Sequence, residues 1–209
     1  MVRVEDLVRA WHELLARYST AAGIDATGRE LLACWMQPHR HYHDLAHLRG
    51  ILAAIAELAA LADDPDAVRL AAWYHDSVYE GRADDEEMSA RMAEADLAAL
   101  GVRDDLVAEV ARLVRMTVDH NPGPGDHNGA VLSDADLSSL GLPSADYRRN
   151  TAAIRLEYAH VSDDDFRAGR TRIITSLLAA PQLFRTSVAR ERWEERARVN
   201  MRDELADLD

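Results

Sequence analysis

The chain has 209 residues, 48% hydrophobic and 29% charged, which excludes an intrinsically disordered segment and indicates a folded globular protein. Its net charge of −13 excludes the basic surface needed to bind a nucleic-acid polymer or an anionic membrane. The single cysteine, Cys34, excludes an intrachain disulfide and fits a reducing compartment. Because the acidic, amphipathic N-terminus lacks a signal-peptide core, and no apolar run could span a bilayer, we expect a cytoplasmic protein.

Apolar residues recur at helical spacing along most of the chain, beginning with a stripe from Val4 to Tyr18. The strongest loop signal is NPGPGDHNGA at 121–130, and Gly101 is placed to end a helix. We find no β-hairpin pattern, internal repeat or interdomain linker, so the sequence predicts a single all-α domain over 1–209. Further helices are predicted over 27–36, 43–62, 66–79, 84–100, 103–119, 134–140, 144–161, 163–178 and 187–208.

Two histidines four residues apart, His43 and His47, open the predicted third helix. Residues at this spacing share one helical face, and the apolar residues that follow turn that face inward. A lone histidine there would most often be a hydrogen-bonded core residue. A pair favours a metal or acid–base site, although the spacing alone is a moderate signal.

A His-Asp pair, His75-Asp76, interrupts the apolar stretch AAWYHDSVYE at 71–80. Burying an ionised aspartate without a partner costs several kcal/mol. The simplest partner is a cation, either an arginine or a metal. Imidazole with carboxylate is a ligand set that suits several divalent transition metals.

Two aspartates, Asp134 and Asp136, lie in SDADLSSLG at 133–141. On a helix they point to nearly opposite sides, so both are not expected to bind one ion. Asp134 is well placed to cap the start of the predicted helix. Asp136 sits where a capping-box acid would, but Leu137 and Leu140 after it also allow it to face inward.

Together these residues form the order H…HD…D, which resembles the HD superfamily of metal-dependent phosphohydrolases. YHDLAH at 42–47 is similar to the YHNxxH signature of the cyclic-nucleotide phosphodiesterases, which share the HD core, and ADLS at 135–138 resembles their last metal-binding motif. The resemblance implies an HD-type helical bundle. Its metal-binding core would cover about 39–140, with the helices of 144–208 packing on it.

The sequence is more similar still to a bacterial group of predicted HD hydrolases. The motifs shared with that group extend over nearly the whole chain, and Asp85 is one departure, since the group's pattern has asparagine there. The matching segments are YHDLAH, WYHDSVY, DEEMSA, DADLSSLG, EYAHV at 157–161, AGR at 168–170 and ARVN at 197–200.

The resemblance implies a role for each matched residue. His47, His75, Asp76 and Asp136 would bind the metal, Asp76 also serving catalysis, and His43 would be the general acid. The cofactor would be one or two divalent ions of Mn, Fe, Ni, Co or Zn, with Mg a further candidate. Asp134 remains open as an alternative last ligand.

Other residues are candidates for holding metal-bound water, supporting a ligand or touching the substrate. Glu86 is equally well explained as an exposed acidic residue at the start of a helix. His120 has an alternative explanation too, because the C-terminal end of a helix stabilises a protonated histidine. Arg170 is the strongest candidate for a phosphate contact. The full set is Asp134, Glu86, Ser89, His120, Tyr158 and Arg170. Tyr158 and Arg170 rest on the family pattern alone, as do Glu157, Arg198 and Asn200.

The resemblance thus implies hydrolysis of a phosphate ester or anhydride of a small, nucleotide-like molecule by metal-bound hydroxide, with His43 protonating the leaving oxygen. Two alternatives stay open: an HD-fold di-iron oxygenase, and a non-catalytic metal- or nucleotide-binding regulatory module. The expected partner is a small phosphorylated substrate, with no nucleic-acid polymer or membrane. A homodimer is not excluded.

Overall fold

The computed structural model describes residues 3–208, and within that range the chain is helical with no β-strand. The predicted all-α fold is therefore confirmed. The helices are α1 (Val4–Leu15), α2 (Ile24–Trp35), α3 (Leu45–Leu58), α4 (Pro65–Tyr74), α5 (Asp85–Ala99), α6 (Asp104–Met116), α7 (His127–Leu137), α8 (Ser144–Glu157), α9 (Asp163–Ala179), α10 (Ser187–Ala189) and α11 (Glu195–Leu208). Short 3₁₀ turns follow α3 and α7, and a π-helical turn joins α10 to α11.

The core is built around buried tryptophans, two of which donate hydrogen bonds that join helices. Trp11 donates to the carbonyl of Ile24 at 2.8 Å, which fastens α1 to α2. Trp35 donates to the carbonyl of Trp73 at 3.0 Å, which fastens α2 to α4. Trp73 and Trp193 are buried as well, so all four tryptophans lie in the core.

Side-chain caps account for the helix starts that differ from the predicted ones. Asp44 accepts from the amides of Ala46 and His47, so α3 begins at Leu45 and not at 43. Asp126 accepts from the amide of Gly129, so α7 begins at His127, inside the segment predicted as a loop. These aspartates satisfy amides that the first turn of a helix leaves unpaired.

The C-terminal helices cover the remaining bundle less tightly. Each of α8 and α9 buries one residue, Tyr147 and Ile174 respectively, whereas α4 buries most of its length. Helix α9 packs on α11. None of the helices in residues 3–208 is long and apolar enough to cross a bilayer.

Candidate metal centre and cavity

Three side chains from separate helices converge at one point of the bundle. His47 comes from α3, His75 directly follows α4, and Asp136 stands near the end of α7. Nε2 of His47 lies 3.2 Å from Oδ1 of Asp136, and Nε2 of His75 lies 3.7 Å from the same oxygen. All three ligand atoms lie within 4.8 Å of one another, so the cluster could hold a metal ion.

Asp76 borders this cluster. Its Oδ2 lies 3.2 Å from Nε2 of His75 and 3.8 Å from Nε2 of His47. Helix α4 ends at Tyr74, so the His-Asp pair lies just beyond the helix and not within it as predicted. His75 keeps helical backbone angles, yet both side chains of the pair face the same point, since Nε2 of His75 and Oδ2 of Asp76 approach to 3.2 Å.

The ring of His75 points its Nε2 at the cluster. Its Nδ1 lies 2.9 Å from the carbonyl oxygen of Ala72, which can only accept, so Nδ1 carries a proton and Nε2 is the atom left to face Asp76 and Asp136. Burial opposes the charged ring, but the two carboxylates raise the pKa of His75 well above its usual value, so a bound metal would displace a proton from Nε2. Nε2 is buried without a hydrogen-bond partner in the described part of the chain. Trp35 packs against the ring with centroids 5.4 Å apart. A buried nitrogen in this state fits a metal ligand, because metal-bound histidines commonly donate their other N–H to a carbonyl.

The carboxylates of the cluster stay ionised despite burial. Burial alone would raise the pKa of Asp136, but His75 and His47 hold that pKa well below its usual range. Burial likewise opposes ionisation of Asp76, and His75 lowers its pKa nonetheless. Two ionised carboxylates beside two imidazoles form a hard and borderline donor set that suits divalent transition metals.

His43 lies in the loop before α3, and not on the helix as predicted, and is held there by Glu157 at the end of α8. Oε2 of Glu157 lies 2.7 Å from Nδ1 of His43. Oε1 accepts the backbone N–H of His41, Tyr42 and His43 at 2.7 to 2.8 Å. Burial would raise the pKa of Glu157, but His43 and these amides lower it to about 2.

A buried arginine joins the two loops that carry the site, and the sequence analysis missed it. Arg40 donates to the carbonyls of His43 at 3.1 Å, Asp76 at 2.7 Å and Ser77 at 3.2 Å. It is 6% exposed and lies over the ring of Trp35. No motif marks it, and it lies two residues before YHDLAH among polar residues, so the sequence gives no signal of its burial.

The cluster opens into a cavity of about 550 Å³ between the bundle and helices α8 and α9. His43, His47, His75, Asp76 and Asp136 all lie on its wall. Cavities of this size commonly hold a drug-sized molecule. The candidate metal ligands and the candidate general acid, His43, therefore line the same cavity.

Four of the further candidates, Glu86, His120, Tyr158 and Arg170, also line this cavity, but not all are free to bind a ligand. Glu86 and Tyr158 lie on the wall, and Tyr79 donates to the hydroxyl of Tyr158 at 3.4 Å. Arg170 lines the cavity too, yet its Nε and Nη2 donate to Glu204 at 2.7 and 3.1 Å. The predicted phosphate contact is therefore already paired with a carboxylate.

His120 also reaches the cluster. Its Nε2 lies 3.5 Å from Oδ2 of Asp136, and its Nδ1 is buried with no hydrogen-bond partner among the described residues. The backbone of His120 has a φ of 50°, a left-handed conformation that costs a residue with a Cβ about 1 kcal/mol or more. The fold holds this ring at the cavity in a conformation that the chain does not prefer.

Asp134, Ser89 and His127 point elsewhere. The prediction that Asp134 caps a helix is wrong, because α7 begins seven residues earlier; its carboxylate accepts the backbone N–H of Arg185 at 2.6 Å and of Thr186 at 2.7 Å. Ser89 accepts from the amide of Val78 at 3.0 Å, and His127 bonds Asp63 at the surface. None of the three lies on the described cavity wall.

Two other matched motifs have structural contacts. Asp85, at the departure from the family pattern, accepts the backbone N–H of residues 80, 81 and 82 through one oxygen. Asn200 donates to the carbonyls of Leu140 and Leu142. Arg198 donates to the carbonyls of Leu178 and Ala180. These contacts fix loops around the site without entering it.

Comparisons with known proteins give no match: no family model fits the sequence, and no curated protein or solved structure is significantly similar to the chain.

Proposed function

We propose that the protein is a metal-dependent phosphohydrolase of the HD type, which cleaves a phosphate ester or anhydride of a small molecule. The observation that carries the proposal is the buried, unpartnered Nε2 of His75, which faces Asp136 and His47. A site built only for stability would pair that nitrogen or replace it with an apolar group. An ion bound to His47, His75, Asp76 and Asp136 would satisfy it.

Each residue of the site has a separate role in this proposal. A divalent ion in the site would lower the pKa of a bound water and polarise a phosphoryl oxygen. Asp76 and Asp136 supply the negative charge that retains the ion. His75 is fixed in the tautomer that binds by the carbonyl of Ala72.

His43 would deliver a proton to the leaving oxygen. It lines the same cavity as the cluster, and its ring stacks near His47 with centroids 5.4 Å apart. Glu157 orients His43 through Nδ1, so Nε2 is the atom left to donate the proton. The loop that bears His43 is fastened to the Asp76 loop by Arg40.

The test is hydrolysis by protein loaded separately with Mn²⁺, Ni²⁺, Co²⁺, Fe²⁺ and Zn²⁺, with phosphate release as the readout. We expect release that depends on metal and falls at least about 100-fold in His43→Gln, the typical contribution of a general acid. His127→Gln is the matched control, because His127 lies at the surface beside Asp63. Metal binding without hydrolysis of any phosphate ester or anhydride would favour the regulatory module instead.

One observation favours a second candidate, a di-iron oxygenase. His120 lies beside Asp136 and has an unpartnered buried nitrogen, so it could serve a second ion. His127 is the other histidine between His75-Asp76 and the DADLS motif. It lies outside the cavity and therefore does not support a second ion. Two irons per chain with oxygen-dependent turnover would establish this candidate over the hydrolase.

A further inference from the structure

Away from the metal cluster, the cavity wall is largely apolar. Helices α8 and α9 and the end of α7 supply the side chains, and several of these are only partly covered by the protein. Ile173 is 54% exposed, an unusual state for an isoleucine that borders a cavity. The apolar wall comprises Leu137, Leu140, Ile154, Phe166, Ile173 and Leu177.

Positive charge is scarce on the same wall. Among the described lining residues Arg170 is the one arginine, and its guanidinium is bonded to Glu204. Four carboxylates line the cavity: Asp76, Glu86, Asp136 and Asp165. Arginine forks and lysines are the groups that usually recognise the several phosphates of a polyphosphate chain. A substrate with charge beyond one phosphate would meet more repulsion than attraction here.

Polar side chains at the far end are also largely engaged with the protein, apart from Asn150, which lines the cavity and has no hydrogen bond to the described residues. Ser139 bonds the hydroxyl of Tyr42 at 2.6 Å, Tyr147 donates to Glu204, and Asp165 accepts from Ser162 at 2.7 Å. Recognition of a nucleobase or sugar requires free donors and acceptors aimed at it. The cavity offers apolar contact more readily than such hydrogen bonds.

We propose that the substrate is a phosphate monoester of an apolar alcohol, with an alkyl or aryl group and no second phosphate. This rests on the proposed function for the phosphate end, which the metal cluster would hold. The apolar group would lie against α8 and α9, covering the side chains that are now partly exposed. The expected nucleotide-like substrate is thereby replaced by a less polar one.

The first experiment measures binding, so it does not depend on turnover. Mn²⁺-loaded protein is titrated by calorimetry with methyl-, butyl-, hexyl- and octylphosphonate, which cannot be hydrolysed at the ester position. We expect affinity to rise about fourfold for each methylene buried, the equivalent of ~0.8 kcal/mol. We also expect a heat-capacity change that grows more negative with chain length.

A pair of variants then locates the apolar group. Ile173→Ser should weaken octylphosphonate binding at least about fivefold and leave methylphosphonate unchanged. Val199→Ser is the matched control: Val199 is 43% exposed on α11 and does not line the cavity. It should leave both affinities unchanged.

The outcomes separate this inference from the proposed function. Affinity that does not depend on chain length, or equal effects of the two variants, would overturn the apolar substrate. Hydrolysis of ATP or AMP with a kcat/KM above that of octyl phosphate would also overturn it while leaving the phosphohydrolase intact. Chain-length-dependent binding without hydrolysis of any phosphate would uphold the apolar ligand and refute the enzyme.

Discussion

Oε2 of Glu157 lies 2.7 Å from Nδ1 of His43, and Oε1 of the same carboxylate accepts three backbone amides of the loop that carries His43. One carboxylate therefore contacts both the ring and the backbone of the proposed general acid and sets its position. The two residues are separated by 114 positions in the sequence. Helix α8 thus contributes to a site whose proposed metal ligands, His47, His75, Asp76 and Asp136, all precede it in the chain.

We predict that Glu157→Gln lowers kcat for an alkyl phosphate about 100-fold, because an amide does not hold Nδ1 of the proton-donating His43 as the carboxylate does. The loss should be less than about tenfold for p-nitrophenyl phosphate, whose leaving group departs without a proton. Steady-state rates of both substrates measure this. Equal losses for the two leaving groups would assign Glu157 a purely structural role.

The same carboxylate makes stability depend on pH. Its pKa falls from 4.5 to about 2 on folding, so its stabilisation is complete above pH 4.5 and is lost as the pH drops through 2. The free energy at stake is on the order of 3 kcal/mol. Urea unfolding of wild type and Glu157→Gln should therefore differ most near pH 6 and converge towards pH 2. A difference that does not change with pH would contradict the ion pair.

The backbone of His120 predicts a separation of stability from activity. At φ 50° alanine is strained and glycine is not, so His120→Gly should be about 1 kcal/mol more stable than His120→Ala. Both variants remove the imidazole and should reduce activity equally. Chemical denaturation of the two variants provides the comparison, and equal stability would show that the left-handed conformation is not retained.

Arg170 and Glu204 are 13% and 12% exposed, and truncating one leaves the other charge poorly compensated. Arg170→Met should destabilise the fold by about 3 kcal/mol, and adding Glu204→Met should recover at least half of that loss. Urea unfolding tests both. If Arg170→Met instead leaves stability unchanged and raises KM for phosphate esters, Arg170 is the phosphate contact that its sequence motif predicted.

Much of the fold could be predicted from the sequence, since apolar periodicity marks helices directly. The errors concern the residues at which helices begin. Asp44 caps a helix that the apolar pattern starts two residues too early, and Asp126 caps one that the pattern starts seven residues too late. Such caps depend on one side chain finding particular amides, which periodicity does not encode.

The site was predictable as a set of residue types and less so as contacts. The sequence pointed to His47, His75 and Asp136, and the structure brings them together. The sequence could not show that Arg170 is paired with Glu204, because the two residues lie on different helices and are 34 positions apart in the chain. Nor could it show the role of Arg40, whose partners are backbone carbonyls and leave no residue pattern.

The central claim is that His47, His75, Asp76 and Asp136 hold a divalent metal. The most direct test is elemental analysis of purified, metal-reconstituted wild type beside Asp136→Asn and Asp134→Asn, with circular dichroism to verify folding. Asp134 is two residues away but bonds the amides of Arg185 and Thr186 outside the cavity, so its variant controls for charge and helix position. The account predicts one or two ions per chain in wild type and Asp134→Asn, and loss of metal in Asp136→Asn. A folded wild type without metal, or metal lost from Asp134→Asn and kept by Asp136→Asn, would contradict it.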